Sequence, residues 1–207
     1  MSREVHALFC ERLGGKFPGS THLIIHCTTK EQSAQIEQAL AKRLEECSLK
    51  LHPEKTKIVY CRDGTRNGKH PTKKFTFLGY TFQPRSAQNR WTKKRFLRFL
   101  PAVSTMAAKK FRDNIKSRNI FRMHHLNVDE LAKQVNPLIR GWYGYFSHCY
   151  KSALYRMNDW LDMAIVRWLR AKFRLQWRDA YSMLRRLVQQ NPRRFAHWLF
   201  RLPGRAV

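Results

Sequence analysis

Acidic side chains are scarce in this sequence. Asp and Glu number 14 against 41 Lys and Arg in 207 residues, a formal net charge of +27. A compact chain holding that much like charge repels itself unless a polyanion neutralises it. Nucleic acid is the expected polyanion, because its counterions are released on binding, and a membrane surface is the weaker alternative. Cysteine is sparse too: Cys10, Cys27, Cys47, Cys61 and Cys149 are scattered and form no C-x-x-C pair. That argues against a disulfide framework and a structural zinc site, and for reduced thiols in the cytoplasm. There is no uncharged apolar run of about eighteen residues, so nothing is expected to span a bilayer. Glu4, Glu11 and Arg12 interrupt the N-terminus, which therefore lacks a signal-peptide apolar region. Glycine-rich phosphate loops, nucleophile-plus-base spacings, metallonuclease clusters and internal repeats are absent as well. His124 and His125 are adjacent, point apart in any regular structure, and mark a basic loop.

What is present begins with a hydrophobic content of 43%, enough for a core. Residues 1–21 carry no readable chemistry. A short helix is expected within Met1–Phe17, broken by Gly14-Gly15 and Pro18-Gly19. His22–Cys27 reads as a strand, and Thr28 with Glu31 has capping-box spacing ahead of a helix to about Cys47. Lys57–Cys61 reads as a second strand, Asp63–Pro71 as a basic, flexible loop, and Lys74–Phe82 as a strand with a tight bend at Gly79. From Ser86 to Leu100 the chain turns strongly basic, with Trp91, Phe96 and Phe99 interleaved among Arg90, Lys93, Lys94, Arg95 and Arg98. That suits phosphate contact plus base stacking, or else a hairpin whose Phe96 and Phe99 face the core. Beyond Pro101 the pattern is helical. Ser104 caps one helix, and Asn127 with Glu130 caps another that is interrupted at Pro137. A third runs over Ser152–Phe173, with Asp159 and Asp162 near its start and basic residues crowding its end. Shorter helices follow around Asp179–Gln189 and Arg193–Leu202. The expected class is α+β, a small N-terminal β-α-β element followed by an all-α bundle.

The densest stretch is Asn136-Pro137-Leu138-Ile139-Arg140-Gly141-Trp142-Tyr143-Gly144-Tyr145-Phe146. Asn136 reads as a helix cap and Pro137 as a first helical residue. Leu138, Trp142 and Tyr145 then share an apolar face, with Ile139 and Phe146 beside it. Gly141 and Gly144 disfavour the helix, and their small size allows another backbone to approach. The stretch resembles the signature of the maturase-specific (X or thumb) domain of group II intron-encoded reverse transcriptases, roughly N-P-x-x-R-G-W-x-x-Y-F. Leu51-His52-Pro53-Glu54-Lys55-Thr56-Lys57 and Phe77-Leu78-Gly79-Tyr80-Thr81-Phe82 resemble two phrases from the end of the same family's palm. The resemblance implies three segments: an unmatched 1–21, a C-terminal palm remnant over 22–90, and a thumb/X helical domain over 91–207.

In that family the strand matching Leu23–Cys27 follows Tyr-Ala-Asp-Asp, whose aspartates hold two catalytic metal ions. Here Gly19-Ser20-Thr21-His22 occupies that place, and no Asp or Glu occurs between Glu11 and Glu31. The expectation is a chain that does not polymerise DNA and binds no cofactor, Mg2+ being needed only if a partner restores the polymerase site. Residues 91–207 hold 25 Lys and Arg against six acids, net +19, leaving +8 for residues 1–90. The candidate RNA-contact residues are Lys55, Lys57, Arg90, Lys93, Lys94, Arg95, Arg140, Trp142, Tyr143 and Lys151. A solvated basic face is the alternative for Lys55 and Lys57, and a buried aromatic seam is preferred for Trp142 and Phe146. The expected partner is structured RNA, group II intron RNA above all, whose folding and splicing the chain would assist. The alternatives are the C-terminal subunit of a split RNA-directed DNA polymerase, paired with a separate fingers/palm chain, and a decayed mobile-element fragment.

Overall fold

The computed structural model describes residues 6–10, 13–14, 23–53, 55–66, 68–89 and 91–200, the first two of these segments as backbone alone. The chain divides into two compact units, Met1–Pro101 and Ala102–Val207.

The first unit is built on small antiparallel sheets. Strand β1 (His6–Cys10) lies between β3 (Leu23–Cys27) and β5 (Thr56–Tyr60), pairing His6 with Cys27 on one side and Tyr60 on the other. The helix expected near the N-terminus is therefore a strand. Pairing with two partners distant in sequence overrides the local preference, which no periodicity within Met1–Phe17 encodes. A second, two-stranded sheet joins β2 (Leu13–Gly14) to β4 (Lys50–Leu51). Helix α1 (Lys30–Glu46) is capped one residue later than its sequence suggests: Thr29 accepts from Gln32 N, and the Gln32 side chain accepts from Thr28 N at 2.8 Å. Gln32 fills the role assigned to Glu31.

The third sheet runs β6 (Phe75–Phe77), β7 (Tyr80–Gln88), β8 (Arg95–Val103). Leu78 and Gly79 form the two-residue turn between β6 and β7, with φ of 46° and 82°. Two positive φ values match the twist of a tight hairpin, and glycine takes the second without strain. Phe75 stacks on its cross-strand partner Phe82 at 4.7 Å, and with Val59 and Cys61 it forms a core that Phe99 also covers. Phe99 thus faces inward as expected. Phe96 does not: it stays exposed, with the Arg98 guanidinium 5.4 Å over its ring. Trp91–Pro101, grouped with the helices on sequence, belongs to the first unit because β8 pairs with β7.

The second unit is helical: α2 (Thr105–Ser117), α3 (Val128–Phe146), α4 (Tyr155–Phe173) and α5 (Trp177–Gln190), with 3-10 turns at Ile120–Arg122, Lys151–Leu154 and Ala196–Phe200. The expected helix over Arg193–Leu202 is limited to that last turn among the described residues. Ser104 caps α2 through Ala107 N, and Asn127 with Glu130 forms a complete capping box on α3.

Helix α3 runs unbroken through Pro137. An interior proline removes one backbone bond and costs about 3 kcal/mol, so packing must offset it. Asn136, expected to cap a helix, is instead buried. Its side chain donates to Arg194 O at 2.8 Å and accepts from Ala196 N at 2.9 Å. The proline position is held by a tether to the C-terminal segment. Because the helix begins at Val128, its phase is set by Leu131, Val135 and Ile139, and Tyr143 and Phe146 continue that buried face. The inward stripe is therefore rotated by about one position, roughly 100°, from the one read off Leu138, Trp142 and Tyr145.

Asp162 is likewise structural. It is not in the first turn of α4. Its Oδ1 accepts from Trp198 Nε1 at 3.0 Å and lies 3.0 Å from Nε2 of the fully buried His197.

Candidate nucleic-acid interface

In the second unit, the exposed face of α3 is where the signature meets solvent. Lys133, Pro137, Arg140, Gly141, Gly144 and Tyr145 are all exposed there. Arg140 makes no ion pair among the described residues. Its fork is free for phosphate oxygens. A Cβ added at Gly141 or Gly144 would meet nothing within 4 Å. No close backbone approach to these glycines occurs among the described residues.

The aromatic members of the signature divide. Tyr145 is 48% exposed beside that face. Trp142 is half-buried, stacked on Phe111 of α2 at 4.8 Å and 4.9 Å from Phe146, so it ties α2 to α3. The buried-seam reading describes it. Tyr143 corrects the set of RNA-contact candidates. It is fully buried, and its hydroxyl hydrogen-bonds Asn158 Oδ1 in the core. Burial pushes its phenol well above the ordinary tyrosine range, and Asp162 and Asp159 add to the effect. It cannot meet an external ligand in this structure. Lys151 is exposed at the start of a 3-10 turn.

In the first unit, Lys93, Lys94 and Arg95 are exposed at the β7–β8 connection. Asn89 builds that turn: its Oδ1 accepts from Trp91 N at 2.8 Å and Thr92 N at 3.0 Å, while Lys93 takes a positive φ of 56°. The turn presents Trp91, 86% exposed, two residues before Lys93. Arg90 lies outside the described residues. Arg85 differs from its basic neighbours, since it donates to Leu100 O on β8 and to Thr81 O on its own strand. Lys55 is half-buried in the turn before β5, whereas Lys57 is exposed on the strand.

The loop after β5 is tied down by Asp63. Its carboxylate accepts from Thr65 N, Thr65 Oγ1 and Arg66 N, and pairs with the Arg66 guanidinium at 2.5 Å. Burial alone would raise this carboxyl, but the Thr65 bonds and the Arg66 cation outweigh it and hold the group below its ordinary value. Gly68 N donates to Tyr60 Oη at 3.0 Å; a Cβ there would sit 2.9 Å from the His70 ring. Cys61 beneath this loop is pushed up to about 11 by burial, which keeps it an inert thiol. The Gly19–His22 segment, which replaces the metal-binding motif, lies outside the described residues. Among the described residues no group of three or more His, Cys, Asp or Glu could hold a metal ion, and no helix is long and apolar enough to cross a membrane.

Residues 108–188 match the family model of the Group II intron, maturase-specific domain. The match contains Arg140, Trp142, Tyr143 and Lys151 and lies wholly in the second unit. No curated protein and no solved structure matches the chain.

Proposed function

We propose that this chain, which carries a group II intron maturase-specific domain over residues 108–188, binds structured RNA, group II intron RNA in the first place, and favours its folded, splicing-competent form. The RNA supplies the chemistry. The protein supplies binding energy, and stabilises one RNA conformation only as far as it binds that conformation better than the others.

The observation that carries this reading is the uncompensated charge of the helical unit. Arg140, Lys133, Arg156, Arg185 and Arg193 are exposed and make no ion pair among the described residues. Unpaired cations on a rigid helical frame suit phosphate contacts, which position a polynucleotide without reading its sequence. The exposed Trp91, in the same turn as Lys93 and Lys94, adds a stacking group to the first unit.

In this reading the chain has no polymerase activity of its own. Two-metal phosphoryl transfer requires carboxylate ligands, and none occurs between Glu11 and Glu31. A split polymerase, in which a fingers/palm partner brings the carboxylates and Mg2+, has no separate observation in its favour. Primer extension by the purified chain is expected to stay at background, and incorporation above it would overturn this part. Arg140→Ala is expected to weaken filter-binding affinity for an intron-like RNA several-fold. An unchanged affinity would remove Arg140 from the interface.

A further inference from the structure

The second unit contains a cavity of about 450 Å³ away from the exposed face of α3. Three segments build it. The end of α2 contributes Ile115 and Lys116; the connection to α3 contributes Asn119, Phe121, Arg122 and His124; α4 contributes Trp160, Ala164 and Arg167. The α4 residues are four and three apart, so they line one helix face. The adjacent face, one residue further round with Leu161, Ile165 and Trp168, is buried in the core.

The connection is held in shape from outside the cavity. Trp168 Nε1 donates to Met123 O at 3.1 Å, and Lys172 Nζ donates to His124 O at 2.9 Å. Asn119 sits in the left-handed region at φ 51° and turns the chain from α2 into the 3-10 turn. The wall is thus preformed.

Its chemistry is specific. Lys116, Arg122 and Arg167 are exposed at the rim and make no ion pair among the described residues. Trp160 and Phe121 are half-buried in the wall, and the lining contains no acid. An apolar ligand would leave the three cations unanswered. A bare phosphate would leave the two aromatic rings unused. The lining calls for one ligand with both an anionic group and a flat aromatic face, and the volume lies in the range of small-ligand pockets. A base inside a duplex cannot enter, since its faces are already stacked. An unpaired base can, and stacking on aromatic side chains is how such bases are held.

We propose that this cavity receives a single unpaired nucleotide of the bound RNA, the base against Trp160 and Phe121 and the phosphate against Arg122, Arg167 and Lys116. The proposal rests on the RNA-binding reading and deepens it. RNA held by surface cations alone is gripped by charge. RNA with an extruded nucleotide is also placed in register.

The test uses the full-length chain and three fluorescein-labelled hairpin RNAs: fully paired, with a one-nucleotide bulge, and with an abasic bulge at the same place. Anisotropy titrations are expected to show the bulged RNA bound roughly tenfold tighter than the other two. Trp160→Ala should reduce that preference to near unity, Trp160→Phe should keep most of it, and Arg167→Gln should reduce the preference for the bulged over the fully paired RNA several-fold. Circular dichroism confirms folding, and Arg167→Gln, on the exposed rim, keeps the test open if Trp160→Ala does not fold. Equal binding of the bulged and abasic RNAs, or a preference that survives both substitutions, overturns the pocket while leaving the RNA-binding reading intact. Binding of none of the three overturns that reading and the pocket with it.

Discussion

Asn136 shows how one side chain can carry two meanings. Beside Pro137 it reads as a cap, yet it bridges to backbone atoms 58 and 60 residues away. Asn136→Ala would leave a buried amide and a carbonyl without partners. It is expected to lower the unfolding free energy by roughly 2–4 kcal/mol, read as a shift in the urea midpoint. A loss below about 0.5 kcal/mol, the size of an ordinary surface substitution, would show that the tether is dispensable. Asp63 gives a prediction in pH. Its folded-state pKa is depressed by the Thr65 bonds and Arg66 against the opposing push of burial. Its contribution is therefore present above the unfolded carboxylate value of about 4 and lost as pH falls through the folded value. The stability difference between the chain and Asp63→Asn should be constant above about pH 5 and shrink on acidification. A difference that grew on acidification would contradict the assignment.

At the scale of elements, helix starts were legible where the partner is local. Ser104 with Ala107, and Asn127 with Glu130, lie within one turn, and the sequence carries both halves of each contact. Continuity through Pro137 was not legible, because the force that offsets the proline comes from the far end of the chain. The inward face of α3 was not legible for the same reason: a helix starting at Asn136 would lack the phase set by Leu131 and Val135. Strand β1 was missed because its two partners, β3 and β5, are supplied by distant segments. The basic turn at Lys93–Arg95 was visible in composition. The cavity at Trp160 was not, since its wall combines three segments whose spacing carries no motif. Gly141 and Gly144 belong to this scale too. Both are exposed on α3, with open space where an alanine methyl would stand. Gly141→Ala and Gly144→Ala are each expected to raise the unfolding free energy by about 0.5–1 kcal/mol through helix propensity, seen as a higher thermal midpoint. A lower midpoint would mean that some part of the chain does approach them.

At the scale of the whole molecule, charge and fold pull in different directions. The chain holds +27, and 43% of its residues are hydrophobic. The helical unit buries Leu131, Ile139, Leu161, Ile165 and Leu169, each worth about 1.5–3 kcal/mol. That core resists the repulsion of unpaired surface cations such as Arg140 and Arg156. A polyanion bound to those cations relieves the repulsion, so folding and binding should support each other. RNA affinity should therefore depend steeply on salt. Filter binding of the purified chain to a structured RNA, titrated from about 50 to 200 mM salt, is expected to lose roughly a thousandfold in affinity, as six or so phosphate contacts would give. Affinity that is flat across that range, or no binding at the lowest salt, would contradict the claim that this cationic helical unit is a polynucleotide-binding surface.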